Sequence, residues 1–413
     1  MRKRLRALAR AAMQTRDPLD RFPPARAAGL DRLRRFVPQA GADYARRRNH
    51  DLGRDAHEGV SQLSPWIRRR LITEEEVLAA VLGRHSARAA EKFVQEVVWR
   101  SYWKGWLEMR PSVWTAYRAG VLRALDRVAT EGGLRRDWGA ACRGETGLDA
   151  FDAWARELVE TGYLHNHARM WVASIWVFTL RLPWELGADF FLRHLLDGDP
   201  ASNTLSWRWV AGLQTQGKTY LARASNIERY TGGRFRPEGL APSAPPLEGP
   251  PHPPVGPVPC SDGIDPAAPT GLLLTEEDLA PGFVFEAGVR PRATAFLSRT
   301  AGLSPLAVAP HVGAHVRGAM EDTAARWAER LGPVTWLGAA DEIASWAARE
   351  GLTQIVTPWP CTGPVAEALD GTGVRRIVRP WDAAAWPHAT HGFFRFKNHI
   401  PALLGQIRGP SAA

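Results

Sequence analysis

Two periods of apolar residues divide this chain. Up to about Phe235, apolar positions recur near i, i+3 and i+4, most clearly in Glu74–Leu82, Ala89–Leu107 and Leu148–Thr161, with no proline inside any of the three. That spacing gathers apolar side chains on one face of a helix, so it predicts a mostly helical first half. The run from Trp171 through Trp176 to Phe178 is apolar nearly all round, which predicts a helix buried within a bundle. From Arg236 to Thr270 proline is dense, with Pro245-Pro246, Pro250-Pro251 and Pro253-Pro254, and the stretch reads as an extended, semi-rigid linker. Beyond it, short apolar runs alternate with helical segments: Leu272–Leu274, Ala293–Leu297, Met320–Leu331, Val334–Leu337, Glu342–Glu350, Gln354–Thr357, Pro364–Leu369 and Val374–Val378. Strands alternating with helices imply a parallel sheet in an α/β domain, with a mixed α+β fold as the alternative. The expected organisation is therefore an all-α domain over 1–235, a linker over 236–270 and an α/β domain over 271–413. No internal repeat is present.

Composition narrows the class. With 413 residues, 45% hydrophobic and 23% charged, the chain is a globular protein with room for two or three full cores. Three scattered cysteines, Cys142, Cys260 and Cys361, are too few for a zinc or iron–sulfur site, and they suit a cytoplasmic protein with reduced thiols. No run of eighteen apolar residues occurs, which argues against a membrane span. The formal net charge of +10 implies a positive field attractive to phosphate polyanions, although an Arg-rich composition alone produces the same number. The basic start, Met1 to Arg10, with Leu5, Leu8 and Met13 near helical spacing, reads as a surface helix with an Arg-rich face, either solvated or touching phosphates. Eighteen Trp exceed what packing usually requires and raise the prospect of stacking surfaces and redox-active rings. The C-terminal half has no Gly-rich phosphate loop and no evident catalytic set.

The densest chemistry lies between Tyr163 and Trp209: Asn166, Arg169 and Met170, then Trp184, the turn Asp197-Gly198-Asp199, Asn203, and Trp207-Arg208-Trp209. Asn166, Arg169 and Met170 are three and four residues apart and share a helix face. A charged Arg and two Asp inside a bundle are costly alone, so Arg169 is expected to pair with an Asp of the turn. Taken without its neighbours, such a pair is equally a salt bridge pinning two helices. Glu96, Trp99 and Arg100 likewise share one face.

These residues resemble the flavin-binding signature of the DNA photolyase and cryptochrome family, over roughly Pro24 to Phe235. Tyr44 to Asn49 looks like the family's opening segment, whose Tyr contacts the cofactor phosphates. Val60-Ser61-Gln62-Leu63-Ser64-Pro65 looks like its phosphate-cradling loop, with Val60 for the usual Thr and Gln62 for the usual Arg, so one hydroxyl and one positive charge are missing. Ser61, Leu63 and Ser64 remain, and hydroxyls at a helix start suit pyrophosphate oxygens; alone, the segment is an ordinary helix cap. Glu96-Val97-Val98-Trp99-Arg100 is similar to the family's helix in which Glu bonds the damaged base pair, Trp stacks on it and Arg lies near the cofactor. Gly144-Glu145-Thr146-Gly147 and Asn166 to Met170 match further motifs.

The resemblance implies an all-helical domain holding a U-shaped FAD, with Asn166 and Met170 lining the lesion pocket, Arg169 paired with Asp197, and Asp199 and Asn203 facing the isoalloxazine. Asn203 and Met170 are typical of the branch that repairs cyclobutane dimers. His167 stands where an Arg usually follows the Asn, which makes that DNA contact absent or pH-dependent. Trp207 matches the flavin-proximal member of an electron-transfer chain and Trp184 the middle one. The distal position falls near Glu131, with Trp138 the nearest substitute. Trp209 matches the second wall of the lesion pocket and, two residues on from Trp207, points about 200° away on a helix. Core packing is the alternative for each ring.

Family members place an α/β antenna domain first; the C-terminal region here, ending in His391-Gly392-Phe393-Phe394-Arg395-Phe396, faintly resembles that domain moved behind the helical one, without a chromophore-pocket motif, so no bound antenna chromophore is assigned. The implied activity is light-driven, FAD-dependent repair of cyclobutane pyrimidine dimers by a monomeric lyase acting on damaged DNA. The alternative is a cryptochrome-like blue-light photoreceptor without repair.

Overall fold

The computed structural model describes residues 17–407, so the expected N-terminal helix of residues 1–16 lies outside the described residues. The first half is helical: α1 (Pro18–Arg21), α2 (Arg26–Phe36), α3 (Ala42–Arg47), α4 (Ser64–Arg68), α5 (Glu74–Leu82), α6 (Glu91–Glu108), α7 (Ser112–Thr130), α8 (Gly132–Arg143), α9 (Asp149–Thr161), α10 (Asn166–Ser174), α11 (Trp184–His194), α12 (Pro200–Val210) and α13 (Ala224–Tyr230). Local chemistry sets several boundaries. Thr73 caps α5 through a reciprocal box with Glu76, which satisfies two backbone donors the helix start leaves open. Gly144 and Gly162 end α8 and α9 in the left-handed conformation, at φ 65° each, where a side chain is strained.

The all-apolar run after α10 is buried as its pattern implies, but Ile175–Thr179 forms a π-helical turn. A segment apolar on every side has no amphipathic phase, so its pattern does not distinguish the two helix types.

No helix or strand occurs between Tyr230 and Thr270. The Pro-rich segment is tied to the helices and the sheet by main-chain bonds from Leu247 N to Ala211 O (3.0 Å), Gly256 N to Met109 O (2.9 Å) and Asp262 N to Arg376 O (2.9 Å).

Five strands follow, β1 (Thr270–Thr275), β2 (Ala293–Leu297), β3 (Val334–Leu337), β4 (Gln354–Pro358) and β5 (Arg375–Ile377), all parallel in the order β3-β2-β1-β4-β5. The intervening helices are α14 (Gly282–Glu286), α15 (Pro310–Arg326), α16 (Ala328–Leu331), α17 (Glu342–Glu350) and α18 (Pro364–Ala368). β1 and β2 are buried along their whole length, as a parallel sheet covered on both faces requires. Leu272, Leu274, Phe296 and Val356 join a core that continues through the helical half, whereas Leu273, Ala295 and Leu297 pack with Ile343 and Trp346 in a second, smaller core.

The chain then returns to the helical half. α19 (Pro380–Ala385), α20 (Phe393–Lys397) and α21 (Ile400–Leu404) close the described chain, and α19 and α20 pack on α6. Trp381 Nε1 donates to Ser101 Oγ at 2.8 Å, and Trp386 lies against Gly105, where any side chain would collide with it. The ending at His391–Phe396, grouped with the α/β domain by its sequence, therefore lies on α6.

The rest of the seam is ionic. Arg68 donates from both terminal nitrogens to Glu277, at 2.9 and 2.6 Å. Arg70, at φ 52°, reaches Asp278 (2.9 Å), Asp382 (2.7 Å) and Glu74 (3.2 Å), and Arg379 completes the set on Asp278. All of these side chains are buried.

Candidate functional site

Helix α12 packs against both α6 and α10, and the three carry most of the residues singled out by the sequence. α10 starts at Asn166 because the His165 side chain accepts the His167 N–H at 3.2 Å. Arg169, one turn on, donates from Nη2 to Asp197 Oδ2 (2.9 Å) and from Nε to Leu164 O (2.9 Å). Burial alone would raise the Asp197 carboxyl, but Arg169 outweighs it and holds the group below the usual carboxylate range. The expected pairing of Arg169 with the turn is thus present.

The turn itself is held by Arg68, whose Nε donates to Gly198 O at 2.9 Å. Asp199 caps α12, accepting Ser202 N at 2.8 Å, with Pro200 in the first helical position, where its missing N–H is not needed. Lys104, Arg100 and Arg68 lie 3.7, 3.7 and 3.5 Å from the Asp199 carboxylate. Burial opposes its charge, yet these three cations hold it well below the usual carboxylate range. Asn203 is oriented by donating Nδ2 to Ala188 O of α11 at 2.8 Å.

Along α6, Glu96 pairs with Arg48, and Tyr44 on α3 is buried edge-on against Phe93 (5.2 Å). Trp99 is half-buried: one face carries the Phe393 ring at 3.5 Å and 10°, and Trp103 lies tilted at 5.1 Å. Asn166 and Ser206 are exposed and Met170 and Trp209 half-buried, and on α12 both Ser206 and Trp209 are flanked by buried positions. Trp209 stacks on Tyr220 at 5.9 Å. His167 is fully engaged: Nδ1 donates to Asn49 O (2.9 Å), Nε2 meets the Tyr220 hydroxyl (3.2 Å), and the ring stacks on Trp171 at 4.1 Å. Burial lowers its pKa, so it is neutral near pH 7 and both nitrogens are occupied.

The loop before α4 holds Gln62 at φ 54°, a strained value for a residue with a side chain. Leu63 N lies 3.4 Å from Ser61 Oγ, while Ser61 and Ser64 stay half-exposed. The positive charge that Gln62 does not supply comes from elsewhere: Arg32 Nε donates to Ser61 O and Arg21 Nη2 to Gln62 Oε1, each at 2.8 Å. Both arginines line an open cleft of about 1280 Å³ beside the loop, with Phe22, Phe36 and Trp66. Reading the motif missed them, because Arg21 and Arg32 precede it and nothing in their local spacing marks them.

The rings that the resemblance assigns to electron transfer have the following neighbours. Trp207 is buried, edge-on to Phe191 (5.0 Å) and Trp176 (6.1 Å). Trp184 lies 5.6 Å from Tyr117, which lies 5.3 Å from Trp114. Trp138 packs at the edge of the core, and no close ring pair joins it to Trp184 among the described residues. Tyr117 and Trp114 are three apart on α7, a signal present in the sequence but indistinguishable there from core packing.

Could these residues hold a flavin? Among the described residues, Asp197 Oδ1 and Arg100 Nη1 are buried without a hydrogen-bond partner, a costly state that a polar ligand edge would relieve. Asp197 lies in the turn and Arg100 beside it, so one acceptor and one donor are left, which fits a ring bearing amide and carbonyl groups.

Residues 93–239 match the family model described as the FAD binding domain of DNA photolyase. Over these residues the helical region is similar to the flavin domain of photolyases. Among relatives of this photolyase-type domain, the deoxyribodipyrimidine photo-lyase of Thermus thermophilus is 34% identical over 218 residues, 52% of this chain and 49% of its own length. That of Vibrio cholerae is 28% identical over 50% of this chain and 43% of its own. A bacterial class III photolyase from Agrobacterium tumefaciens aligns at 27% identity and a TM-score of 0.42, covering 50% of this chain and 43% of its own. The chain spans about half the length of the curated relatives it matches. No helix among the described residues is long and apolar enough to cross a membrane, and no group of three metal-ligating side chains occurs among them.

Proposed function

We propose that the photolyase-type domain repairs cyclobutane pyrimidine dimers in DNA by light-driven electron donation to a lesion turned out of the duplex. The observation that carries the reading is that α6 and α10 both pack on α12, so that the helices holding Glu96, Trp99, Asn166, Met170 and Trp209 meet at one helix. Bound and reduced, FAD would supply the excited-state electron that splits the cyclobutane ring and would recover it afterwards, so no protein nucleophile is required.

The chain's own residues bind, orient and exclude water. Tyr44, Ser61, Leu63 and Ser64 hold the phosphate end, with Arg21 and Arg32 adding charge. Arg169, Arg100, Asp197, Asp199 and Asn203 fix the ring end. Trp99 and Trp209 stack on the extruded bases, offsetting by roughly 1–3 kcal/mol per base the few kcal/mol that unpairing costs. Glu96 accepts a hydrogen bond from the damaged pair, exchanging Arg48 for it.

The second reading is a photoreceptor that does not repair. Two observations favour it: Phe393 already covers one face of Trp99, and both nitrogens of His167 are occupied. The two readings separate on one experiment. Purified protein is loaded with FAD, reduced, and illuminated with an oligonucleotide containing one thymine dimer, and dimer loss is followed by chromatography. Light-dependent loss supports repair. FAD retention and photoreduction with no loss overturns repair in favour of the photoreceptor.

A further inference from the structure

We infer that Phe394 is a stacking wedge for nucleic-acid bases at the rim of the site, an inference that rests on the DNA-repair reading above. Among the described residues Phe394 is the most exposed large apolar side chain, 86% accessible against 54% for the next, Leu122. Leaving a whole Phe ring in water forgoes roughly the full benefit of its burial; a single exposed ring is ordinary by itself, and its mount and surroundings give it meaning.

The ring sits on a rigid mount. Its neighbours Phe393 and Phe396 point inward, onto Trp99 at 3.5 Å and Tyr102 at 5.5 Å. The backbone before α20 is pinned by Tyr102 Oη to His391 O and by Arg110 Nη2 to Thr390 O, both 2.8 Å, and Lys397 pairs with Glu91 at 2.8 Å. Little freedom is therefore lost when the ring is inserted between other groups.

Position and charge identify what it inserts into. Phe393 lies directly on Trp99, so the next residue is at the edge of the helix face that bears Glu96, Trp99 and Arg100. Arg395 and Lys92 are exposed, with no acidic partner among the described residues, while the nearby carboxylates of Glu91 and Glu96 are already paired with Lys397 and Arg48. A planar apolar ring flanked by free cations fits a strand of stacked bases between phosphates. In a duplex from which a damaged pair has been turned out, such a ring occupies the vacated step and opposes its refilling. The partner is thus lesion-containing duplex DNA.

The test compares FAD-loaded wild type, F394A and F394W. Affinity is read by fluorescence anisotropy on duplexes with and without one thymine dimer, and base unstacking by 2-aminopurine placed opposite the dimer. Because Phe394 is exposed, F394A should fold, which its flavin content and circular dichroism report. The expected result is about ten-fold weaker binding of the dimer-containing duplex by F394A, ~1.4 kcal/mol, with a smaller 2-aminopurine signal and recovery of both in F394W. Should wild type prefer the damaged duplex and F394A match it in both readouts, the wedge is overturned and the repair reading stands. Should wild type show no preference for the dimer, both fail together. If F394A instead only dissolves a dimer of the protein seen in sedimentation, the ring is a contact between two copies and the wedge is likewise overturned.

Discussion

Glu277→Gln tests whether the seam between the two halves supports the flavin site. Arg68 is wholly buried and makes three bonds: two to the Glu277 carboxylate, at 2.9 and 2.6 Å, and one from Nε to Gly198 O at 2.9 Å. Its next nearest carboxylate is Asp199, at 3.5 Å. Removing the Glu277 charge leaves Arg68, Lys104 and Arg100 sharing Asp199, and a buried pair broken from one side costs about 3–5 kcal/mol. At roughly 2.1 cal/mol/K per residue for a chain that melts as one unit, that is a fall in Tm of about 3–6 °C. A second consequence is local. Arg68 drawn toward Asp199 loosens its hold on Gly198, the centre of the Asp197–Asp199 turn, so FAD retention through gel filtration should fall with Tm. The double variant Arg68→Met with Glu277→Leu should recover much of the Tm, since apolar replacement of a whole buried pair is often neutral, yet it should not recover flavin, because the bond to Gly198 O is gone. Calorimetry and the flavin-to-protein absorbance ratio measure the two effects separately. A Tm for E277Q within 1 °C of wild type, with full flavin content, would refute the coupling.

Three further outcomes are expected. Trp209→Ala should weaken binding of dimer-containing DNA by roughly 1–3 kcal/mol with FAD still bound; equal affinity in a filter-binding titration counts against Trp209 as a pocket wall. Trp184→Phe should slow light-driven reduction of the FAD-loaded protein by an external thiol at least ten-fold, and Tyr117→Phe should slow it measurably if the route continues through that ring. Both rates are read from the flavin absorbance, and an unchanged Trp184→Phe rate removes Trp184 from the route. Acid should destabilise the protein well above the carboxylate range: burial lowers the pKa of both His165 and His315 to about 3. These groups stay neutral when folded and protonate when unfolded, so stability is full above about pH 6.5 and falls as pH drops toward 3, by ~1.4 kcal/mol per pH unit for each. A Tm unchanged between pH 7.5 and 5.5 would contradict this.

What could be read from the chain, and what could not, follows from the range of the interactions. The capped helix Glu74–Leu82 and the strand Ala293–Leu297 are bounded in the structure as in their local patterns, because caps and alternation act within a few residues. That Arg169 would meet an Asp of the turn was legible because opposite charges inside an apolar window have few other ways to be stable; that the partner is Asp197 followed from the resemblance alone. Helix α15 begins at Pro310, ten residues before the apolar run at Met320 that announces it; Gly313, Gly318 and three polar or charged residues in its first turns hide the period. Nothing local shows that Arg32 reaches Ser61, that Tyr117 lies beside Trp184, or that Phe393 covers Trp99, since each depends on segments brought together only by folding.

The C-terminal half is built into the photolyase-type domain through one helix. α6 presents Glu96, Trp99 and Arg100 to the candidate site, and Ser101, Tyr102, Lys104 and Gly105 to Trp381, Phe396, Cys361 and Trp386. A helix of 18 residues packed on two sides cannot shift toward one without leaving the other, so the position of Arg100 near Asp199 depends on contacts made some 280 residues later in the chain. The three consecutive arginines at the end of α4 show the same dependence in electrostatic form. Arg68 and Arg70 are matched by carboxylates of the second half. Arg69 lies between them, fully buried, with no hydrogen-bond partner for its guanidinium among the described residues, and burial together with Arg68 lowers its pKa to about 10. It is nonetheless charged at neutral pH, and the charge is tolerable only because Glu276 and Glu277 lie close by. Without the second half, the cluster of three buried cations would have no compensating field, and α4, which orients the turn at Asp197–Asp199 through Arg68, would not hold its place.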